Sequence, residues 1–310
     1  MKTGRVYAII IVSFCLVLLL SACKSYKEQE DELSDTPTRG KINVSADESF
    51  KPIVDALVQV YESNYPDTKI AVDYKPEAEC LQDLIVDSVR MIIATRPFTK
   101  SEENLMVDSL KIGPSYAVVA KDAVAVIVNP SSPDSLFAMW ELKEILTGKF
   151  KRNLIPVFDG VKATSTVRFI VDSVLKDEPL SPKAMAARTS EGVIDYVATH
   201  PEAIGLIGVS WIGNKDDEQQ MSFLKKVKIA QLESTDIPGN YVLPVQANIY
   251  LGRYPMIRDL VYILKEKHRG LGHGFAGFMR EEIGQLIFKR AYLVPTQKNF
   301  TVRPIRLREE

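Results

Sequence analysis

From residue 41 onward the chain alternates short apolar segments with longer amphipathic ones, and this alternation restricts the folds that it can adopt. Three segments have the length and apolar content of strands, and they lie at residues 41–44, 70–74 and 91–94. The segments after them space apolar residues three or four positions apart, as one face of a helix does, and they lie at 52–65, 78–89 and 101–110. This order predicts an α/β fold with a mainly parallel sheet.

The second half of the chain continues the pattern. Residues 122–129 (DAVAVIVN) form a nearly continuous apolar run, which is typical of a strand buried on both faces. Further strands or extended segments are predicted at 154–158, 203–209 and 241–250. Further helices are predicted at 136–146, 167–175, 190–199, 255–267 and 275–293. A chain of this length can bury a large core, and we expect two lobes.

The N-terminus indicates secretion. Lys2 and Arg5 precede an uncharged apolar run at residues 6–20, which ends in Leu20-Ser21-Ala22-Cys23. The run is shorter than the roughly 20 residues of a transmembrane helix, and its order of features is that of a signal peptide. The last four residues resemble a bacterial lipobox, which implies cleavage before Cys23 and acylation of its thiol. A plain signal anchor is the alternative.

We therefore expect residues 1–22 to be a lipoprotein signal peptide. The mature chain would be held by lipid on a membrane of the cell envelope, facing the periplasm or the exterior. Residues 23–40 are polar and rich in charge, so they predict a flexible tether. Because Cys15 leaves with the signal and Cys23 carries lipid, Cys80 is the remaining thiol and no disulfide forms within one mature chain.

Charge and motifs exclude several classes of function. The 39 Lys and Arg nearly cancel the 40 Asp and Glu, which argues against a nucleic-acid partner. Residues 272–277 match GxGxxG but follow a predicted helix instead of a strand, so the context of a dinucleotide site is missing. Ser173 begins an SxxK match without its partner motifs, and the stretch around Ser210 lacks the second glycine of a nucleophile elbow. The histidines follow no metal-ligand spacing. We expect no catalytic residue, no metal site and no cofactor.

Three hydroxyl residues, Thr164, Ser165 and Thr166, directly precede the helix predicted at 167–175. The first turn of a helix has unpaired backbone N–H groups at the positive end of its dipole, so hydroxyls added there favour an oxyanion. Arg168 could supply a cation. The alternative is that one of the hydroxyl residues only caps the helix.

Two more loops follow predicted strands and precede predicted helices. The first carries Ser45, Glu48 and Ser49, and the second carries Thr95 and Arg96. The carboxyl ends of strands are where α/β sheets place ligands, and a guanidinium matches the geometry of phosphate or carboxylate. Plain capping is the alternative for the first loop, and a surface arginine is the alternative for the second.

With these loops in this order, the sequence resembles the PstS-like phosphate-binding component of ABC transporters, a family with the type II periplasmic binding-protein fold. Residues 122–129 resemble the family's crossover strand, and residues 142–148 (LKEILTG) resemble the helix that follows it. Residues 203–208 (AIGLIG) resemble a later strand, and residues 270–285 resemble the C-terminal helix region. The resemblance extends from about residue 41 to residue 295.

The resemblance implies two lobes that hold a ligand in the cleft between them. Lobe one would be residues 41–121 plus 248–310, and lobe two would be residues 122–247. It also implies delivery of phosphate or a similar oxyanion to an ABC permease, and we expect a monomer. The oxyanion site would combine residues from both lobes: Ser45, Glu48, Ser49, Thr95, Arg96, Thr164, Ser165, Thr166 and Arg168.

The chain departs from the family at two positions. Family members carry an aspartate where Arg96 stands, and an arginine shortly before the hydroxyl cluster, where this chain has Phe158-Asp159-Gly160. Arg96 and Arg168 are expected to supply the cations from other positions, with Arg96 favoured. Glu48 is a candidate to replace the missing acceptor.

The sequence therefore predicts a lipid-anchored solute-binding protein without enzymatic activity, with inorganic phosphate as its ligand. Sulfate or molybdate is the alternative ligand. An envelope binding module with a signalling or assembly role and no transporter is the alternative function. A hydrolase that uses Ser210 or Ser173 is a third possibility, disfavoured because no recognisable motif places a base beside either serine.

Overall fold

The computed structural model describes residues 35–85, 88–110, 113–160, 164–176, 178–266 and 268–297. The predicted signal peptide, Cys23 and residues 24–34 of the predicted tether lie outside these ranges. Among the described residues, no helix combines the length and the apolar character that a membrane span requires.

Strands and helices alternate along the described residues. The strands are β1 (Gly40–Asp47), β2 (Thr68–Lys75), β3 (Val89–Ala94), β4 (Ser115–Val128), β5 (Leu136–Phe137), β6 (Ile155–Phe158), β7 (Met185–Ala186), β8 (Ala203–Gly208), β9 (Lys228–Ile229), β10 (Gln231–Glu233), β11 (Tyr241–Val242), β12 (Ile257–Leu264) and β13 (Val294–Pro295). The helices are α1 (Lys51–Asn64), α2 (Glu77–Asp83), α3 (Lys100–Leu110), α4 (Met139–Thr147), α5 (Ser165–Phe169), α6 (Ser190–Thr199), α7 (Glu218–Lys226), α8 (Gln246–Tyr250), α9 (Leu271–Arg280) and α10 (Glu282–Arg290). A π-helix (Ile170–Leu175) continues α5, and 3₁₀ turns follow β1 and β8 at Glu48–Phe50 and Val209–Trp211.

One sheet runs through the molecule in the order β2-β1-β3-β12-β4-β8-β6-β7, and β9 and β13 also pair with β4. The outer strands are parallel: β1 with β2 and β3 on one side, β6 with β7 and β8 on the other. In the centre of the sheet, β12 is antiparallel to β3 and β4, and β4 is antiparallel to β8. The predicted α/β class with largely parallel strands flanked by helices is confirmed.

The long strand β4 joins two lobes. Its residues 115–123 pair with β12, and its residues 124–128 pair with β8, so it changes its main partner between Ala123 and Val124. We call β1, β2, β3, β12, β13 and the first part of β4, with their helices, the first lobe. The remaining strands of the sheet, with α4 to α7, form the second lobe. The sequence-based boundaries at residues 122 and 248 stay predictions.

The prediction of a helix at residues 255–267 is wrong, because this segment forms the strand β12. The run Ile257–Leu264 is short and mostly apolar, so its periodicity does not separate a buried strand from a buried helix. Its position decides the matter: β12 lies between β3 and β4 and is buried on both faces. A helix pairs its backbone N–H and C=O groups internally, so a helix here could not supply the hydrogen bonds that the facing edges of β3 and β4 need.

Two other predicted elements also change. The extended segment predicted at 241–250 is the short strand β11 followed by the helix α8. The single helix predicted at 275–293 is two helices, α9 and α10, which meet at Glu281 in extended backbone. Gly284 permits this turn, because a Cβ atom at that position would lie 2.2 Å from the carbonyl oxygen of Phe278.

Asp35, in the last part of the predicted tether, is buried against the first lobe. Its carboxylate accepts hydrogen bonds from Arg90 Nη1 and Nη2 at 2.8 and 3.0 Å, and from the backbone N–H of Leu271 at 2.6 Å. Residues 35–40 are therefore fixed to the fold, up to the point where β1 begins. Cys80 is a buried free thiol in α2.

Candidate functional site

A buried arginine lies where the two lobes meet. Arg258 is in β12, directly opposite Asp122 on β4, and β4 changes partner one residue later. The side chains of the pair are 2 % and 0 % exposed. Arg258 Nε donates to Asp122 Oδ2 at 2.8 Å, and Nη2 lies 2.8 Å from the same oxygen in an ion pair. The first lobe therefore presents a guanidinium that is held in place by its own cross-strand partner.

Hydroxyl groups from both lobes surround this guanidinium. Arg258 Nη2 donates to Ser49 Oγ of the first lobe at 3.0 Å. Arg258 Nη1 donates to Ser165 Oγ at 3.0 Å and to Thr166 Oγ1 at 3.4 Å, both in the second lobe. Ser49 Oγ and Ser165 Oγ are themselves 3.3 Å apart. We call Arg258, Asp122, Ser49, Ser165 and Thr166 the Arg258 cluster.

The strand end beside the cluster leaves little room for the guanidinium. Gly208 ends β8 and pairs with Val124. A Cβ atom on Gly208 would lie 2.8 Å from Arg258 Nη2 and 3.2 Å from the carbonyl oxygen of Ser49. A glycine is therefore needed here for close approach, so that the guanidinium reaches the second lobe.

Two further carboxyl groups lie next to the cluster. Asp47 Oδ1 accepts from the backbone N–H of Ser49 at 2.9 Å and from its hydroxyl at 2.5 Å, and Asp159 Oδ2 lies 3.5 Å from Thr166 Oγ1. Among the described residues, Asp47 Oδ2 and Asp159 Oδ1 are buried without a hydrogen-bond partner. Burial raises the pKa of Asp159 to about 7, and the neighbouring carboxylates Asp47 and Glu48 act in the same direction. Burial and Glu77 also raise the pKa of Asp47, against the opposing charge of Arg258.

A second group of contacts, which we call the Glu77 cluster, also bridges the lobes. Glu77 at the start of α2 accepts from the backbone N–H and hydroxyl of Thr95 at 2.8 and 2.5 Å. Arg168 of the second lobe donates from Nε to Glu77 Oε2 at 2.6 Å and from Nη2 to Thr95 Oγ1 at 2.6 Å. Arg168 also pairs with Asp172 on its own helix.

The structure brings some of the predicted site residues together. Ser49, Ser165 and Thr166 lie in the Arg258 cluster. Thr164 caps α5, because its hydroxyl accepts from the backbone N–H of Val167 at 3.3 Å. Thr95 and Arg168 lie in the Glu77 cluster.

The other predicted site residues have partners elsewhere. Glu48 accepts from Ser190 at the start of α6. Ser45 donates to Asp83 in α2. Arg96 forms a two-nitrogen ion pair with Glu102 of α3, at 2.8 and 2.9 Å, within the first lobe. Because Glu102 binds the guanidinium of Arg96, this guanidinium does not lie in the Arg258 cluster.

Sequence reasoning missed Arg258 because it assigned that segment to a helix. An arginine inside an apolar, β-branched run was the available signal, since a charge there must be paired. Asp122 begins the predicted crossover strand, and Asp47 and Asp159 lie in loops that the sequence had singled out. Nothing in the sequence connects these residues to Arg258, which is 136 positions from Asp122.

The two serines of the hydrolase alternative are Ser210 and Ser173. The hydroxyl of Ser210 donates to the carbonyl oxygen of Ser49 at 2.8 Å. Ser173 is exposed on the π-helix. Within the part of the chain that the structure describes, no group of three or more His, Cys, Asp or Glu residues could hold a metal ion.

Comparison with known proteins gives consistent results. The model of a PBP superfamily domain matches residues 32–282. The chain is 24 % identical over 299 residues to the phosphate-binding protein PstS of Staphylococcus aureus, covering 91 % of this chain and 86 % of that protein.

Solved structures share the fold. One is a phosphate ABC transporter substrate-binding protein with bound phosphate from Clostridium perfringens, with a TM-score of 0.69 and 18 % identity over 83 % of this chain and 100 % of that one. Another is an ABC-type phosphate transport receptor from Vibrio cholerae, with a TM-score of 0.60 and 17 % identity over 82 % and 99 % of the two chains. These relatives are binding proteins, as the sequence predicted for this chain.

Proposed function

Because this chain belongs to the PBP superfamily and is similar to PstS-like proteins, we propose that it captures inorganic phosphate between its lobes for delivery to an ABC importer. The observation that carries this proposal is the convergence of one guanidinium and hydroxyl groups from both lobes. A ligand at this point touches both lobes, which is the requirement for closure of a hinged binding protein.

The oxyanion would enter between Arg258 and the second lobe. The guanidinium of Arg258 donates four hydrogen bonds among the described residues, two of them to the hydroxyls of Ser165 and Thr166. An oxyanion would replace these two acceptors on Arg258 and accept the hydroxyl protons in turn. Asp122 would stay on the other edge of the guanidinium and keep it in place.

The buried carboxyl groups favour an oxyanion that carries protons. Asp47 Oδ2 and Asp159 Oδ1 are acceptors without a donor among the described residues. When these two groups are ionised, phosphate near neutral pH carries at least one proton and can donate to them, whereas sulfate carries none. Leaving buried acceptors unpaired costs about 1–3 kcal/mol each, so sulfate should bind more weakly. Asp47 and Asp159 thus supply the acceptor role for which the sequence offered Glu48.

The test is calorimetric titration of the mature chain with phosphate, sulfate and molybdate. We expect saturable binding of phosphate with weaker binding of sulfate. Ser165→Ala should weaken phosphate binding about tenfold, the value of one hydrogen bond to a charged group. Ser173→Ala is the matched control, because this serine is exposed on the helix that follows. Equal binding by the two variants, or no heat with any of the three anions, would refute the site.

We propose in addition that lipid on Cys23 holds the protein at a membrane of the cell envelope, facing the periplasm or the exterior, beside its permease. The support is the order of basic residues, apolar run and lipobox-like ending in the first 23 residues. Metabolic labelling with a fatty acid should mark the wild type and Cys15→Ser but not Cys23→Ser. Equal labelling of all three proteins would contradict the anchor.

A further inference from the structure

One carboxylate of the first lobe is bound in the way that proteins bind a free oxyanion. Glu77 begins α2, and its side chain is 2 % exposed. Its Oε1 atom accepts from the backbone N–H and the hydroxyl of Thr95 at 2.8 and 2.5 Å, and its Oε2 atom accepts from Arg168 Nε at 2.6 Å. A backbone N–H, a hydroxyl and a guanidinium are the donors that bind phosphate and carboxylate ions. The Glu77 cluster is therefore an oxyanion site whose anion belongs to the chain itself.

The donors of this site depend on the carboxylate. Burial acts to raise the pKa of Glu77, but the hydrogen bonds from Arg168 and Thr95 and the charge of Arg168 outweigh burial and lower this pKa, so the group is ionised. Thr95 is 5 % exposed, and removal of the carboxylate would leave its N–H and hydroxyl without this acceptor in a place that water reaches poorly. Arg168 is 31 % exposed, so a small anion could approach from its side and restore the lost bonds.

The Glu77 cluster lies beside the Arg258 cluster. Ala94, the last residue of β3, pairs with β12 three positions beyond Arg258, and the two strands are antiparallel. Thr95 is therefore two positions from the level of Arg258 on the neighbouring strand, and strand geometry sets the two backbones roughly 8 Å apart. After burial, the charge of Glu77 is the main influence that raises the pKa of Asp47, which lies next to the Arg258 cluster. The two clusters are therefore neighbouring parts of one interlobe site.

We propose that Glu77 determines specificity: its carboxylate fills the second part of the interlobe site and limits the ligand to one small oxyanion. This inference rests on the proposed function, because the first part is the phosphate site at Arg258. A ligand with two anionic groups, such as diphosphate, would need the donors of Thr95 and Arg168 for its second group. Glu77 occupies these donors and repels a second negative charge. Glu77→Ala should therefore bind diphosphate at least tenfold more tightly than the wild type does.

The first experiment tests the donors of the Glu77 cluster without phosphate. The mature chain of Glu77→Ala is heated in sodium chloride and in sodium formate of equal ionic strength, and unfolding is followed by circular dichroism. Formate has the size of the removed carboxylate, so the melting temperature should rise saturably with its concentration, by roughly 2–4 °C. If Glu77→Ala is unfolded in chloride, recovery of the folded spectrum in formate is the same test.

Glu102→Ala is the matched control for this experiment. Glu102 also accepts from a guanidinium, that of Arg96, and from the backbone N–H and hydroxyl of a threonine, Thr99. Its side chain is 35 % exposed, so water replaces the carboxylate when it is removed. Formate should therefore leave the melting temperature of Glu102→Ala unchanged relative to the wild type.

The second experiment is calorimetric titration of the same proteins with phosphate and with diphosphate. The tighter binding of diphosphate should appear in Glu77→Ala and be lost in the double variant Glu77→Ala, Arg168→Met, which lacks the guanidinium. Glu77→Gln should show no gain, because its side chain keeps the volume of the original. Equal diphosphate affinity of Glu77→Ala and the wild type would overturn the proposal, and so would equal formate effects in Glu77→Ala and Glu102→Ala. Formate-dependent stability without phosphate binding by the wild type would refute the phosphate site and still support the oxyanion site at Glu77.

Discussion

Replacing Asp122 by leucine leaves the Arg258 guanidinium buried without the carboxylate that binds two of its nitrogens. The two side chains are 0 % and 2 % exposed, so water does not reach the charge that remains. Removing one partner of such a pair costs about 3–5 kcal/mol, because the desolvation of the other charge is no longer compensated. For a protein of this size, this loss lowers the melting temperature by roughly 6–20 °C.

Replacing both residues gives a different expectation. In the double variant Asp122→Leu, Arg258→Met no buried charge remains, and apolar side chains of similar volume fill the space. Buried ion pairs replaced in this way often leave stability nearly unchanged. The double variant should therefore be more stable than either single variant, with a coupling free energy of about 3 kcal/mol or more.

The assay is urea unfolding of the wild type, the two single variants and the double variant, followed by circular dichroism without phosphate. Binding is measured in parallel by calorimetry, where Arg258→Met and the double variant should lose phosphate binding and Arg96→Met should keep it. Additive losses of stability in the double variant would refute the coupled pair. Phosphate binding by Arg258→Met would refute the role of Arg258 as the cation of the site.

Two further predictions concern the surroundings of this pair. The pKa of Asp159 in the folded protein is about 7, above its unfolded value of about 3.9, so the fold binds a proton more tightly and stability should fall as pH rises from about 4 to about 7. Urea unfolding at pH 5 and pH 8 should show this loss in the wild type and not in Asp159→Asn, and equal pH dependence of the two would contradict the shifted pKa. Gly208→Ala should displace Arg258, costing about 1–3 kcal/mol of stability and at least tenfold in phosphate affinity, because its Cβ atom would lie 2.8 Å from Nη2. Gly113→Ala, where a Cβ atom meets nothing within 4 Å, is the control, and equal effects in the two glycine variants would contradict the close approach.

The sequence predicted the loops of the site better than their contacts. Ser49 and the cluster Thr164 to Thr166 follow strands, and the carboxyl ends of parallel strands meet at one edge of a sheet. This local rule is enough to expect that their hydroxyl groups lie near one another. It does not say which hydroxyl faces the cleft, and Thr164 is used as a helix cap instead.

The choice of cation could not be made from local pattern. Three arginines lie near strand ends or hinges: Arg96, Arg168 and Arg258. Glu102 binds Arg96, and Glu77 binds Arg168. Arg258 was missed because it lies in a run of eight residues whose apolar spacing fits a strand as well as a helix. Only the pairing of β12 with β4 sets Arg258 opposite Asp122.

The amino-acid sequence by itself determined the alternation of strands and helices, and with it the α/β class and the edge of the sheet where polar loops collect. These properties depend on periodicity and on turn residues, which act over a few positions of the chain. The tertiary structure alone decided which arginine is buried between the lobes and which carboxylates bridge them. Those choices depend on contacts between residues that are 91 positions apart for Glu77 and Arg168, and 142 positions apart for Glu48 and Ser190. A charge is buried only where such a distant partner compensates its desolvation.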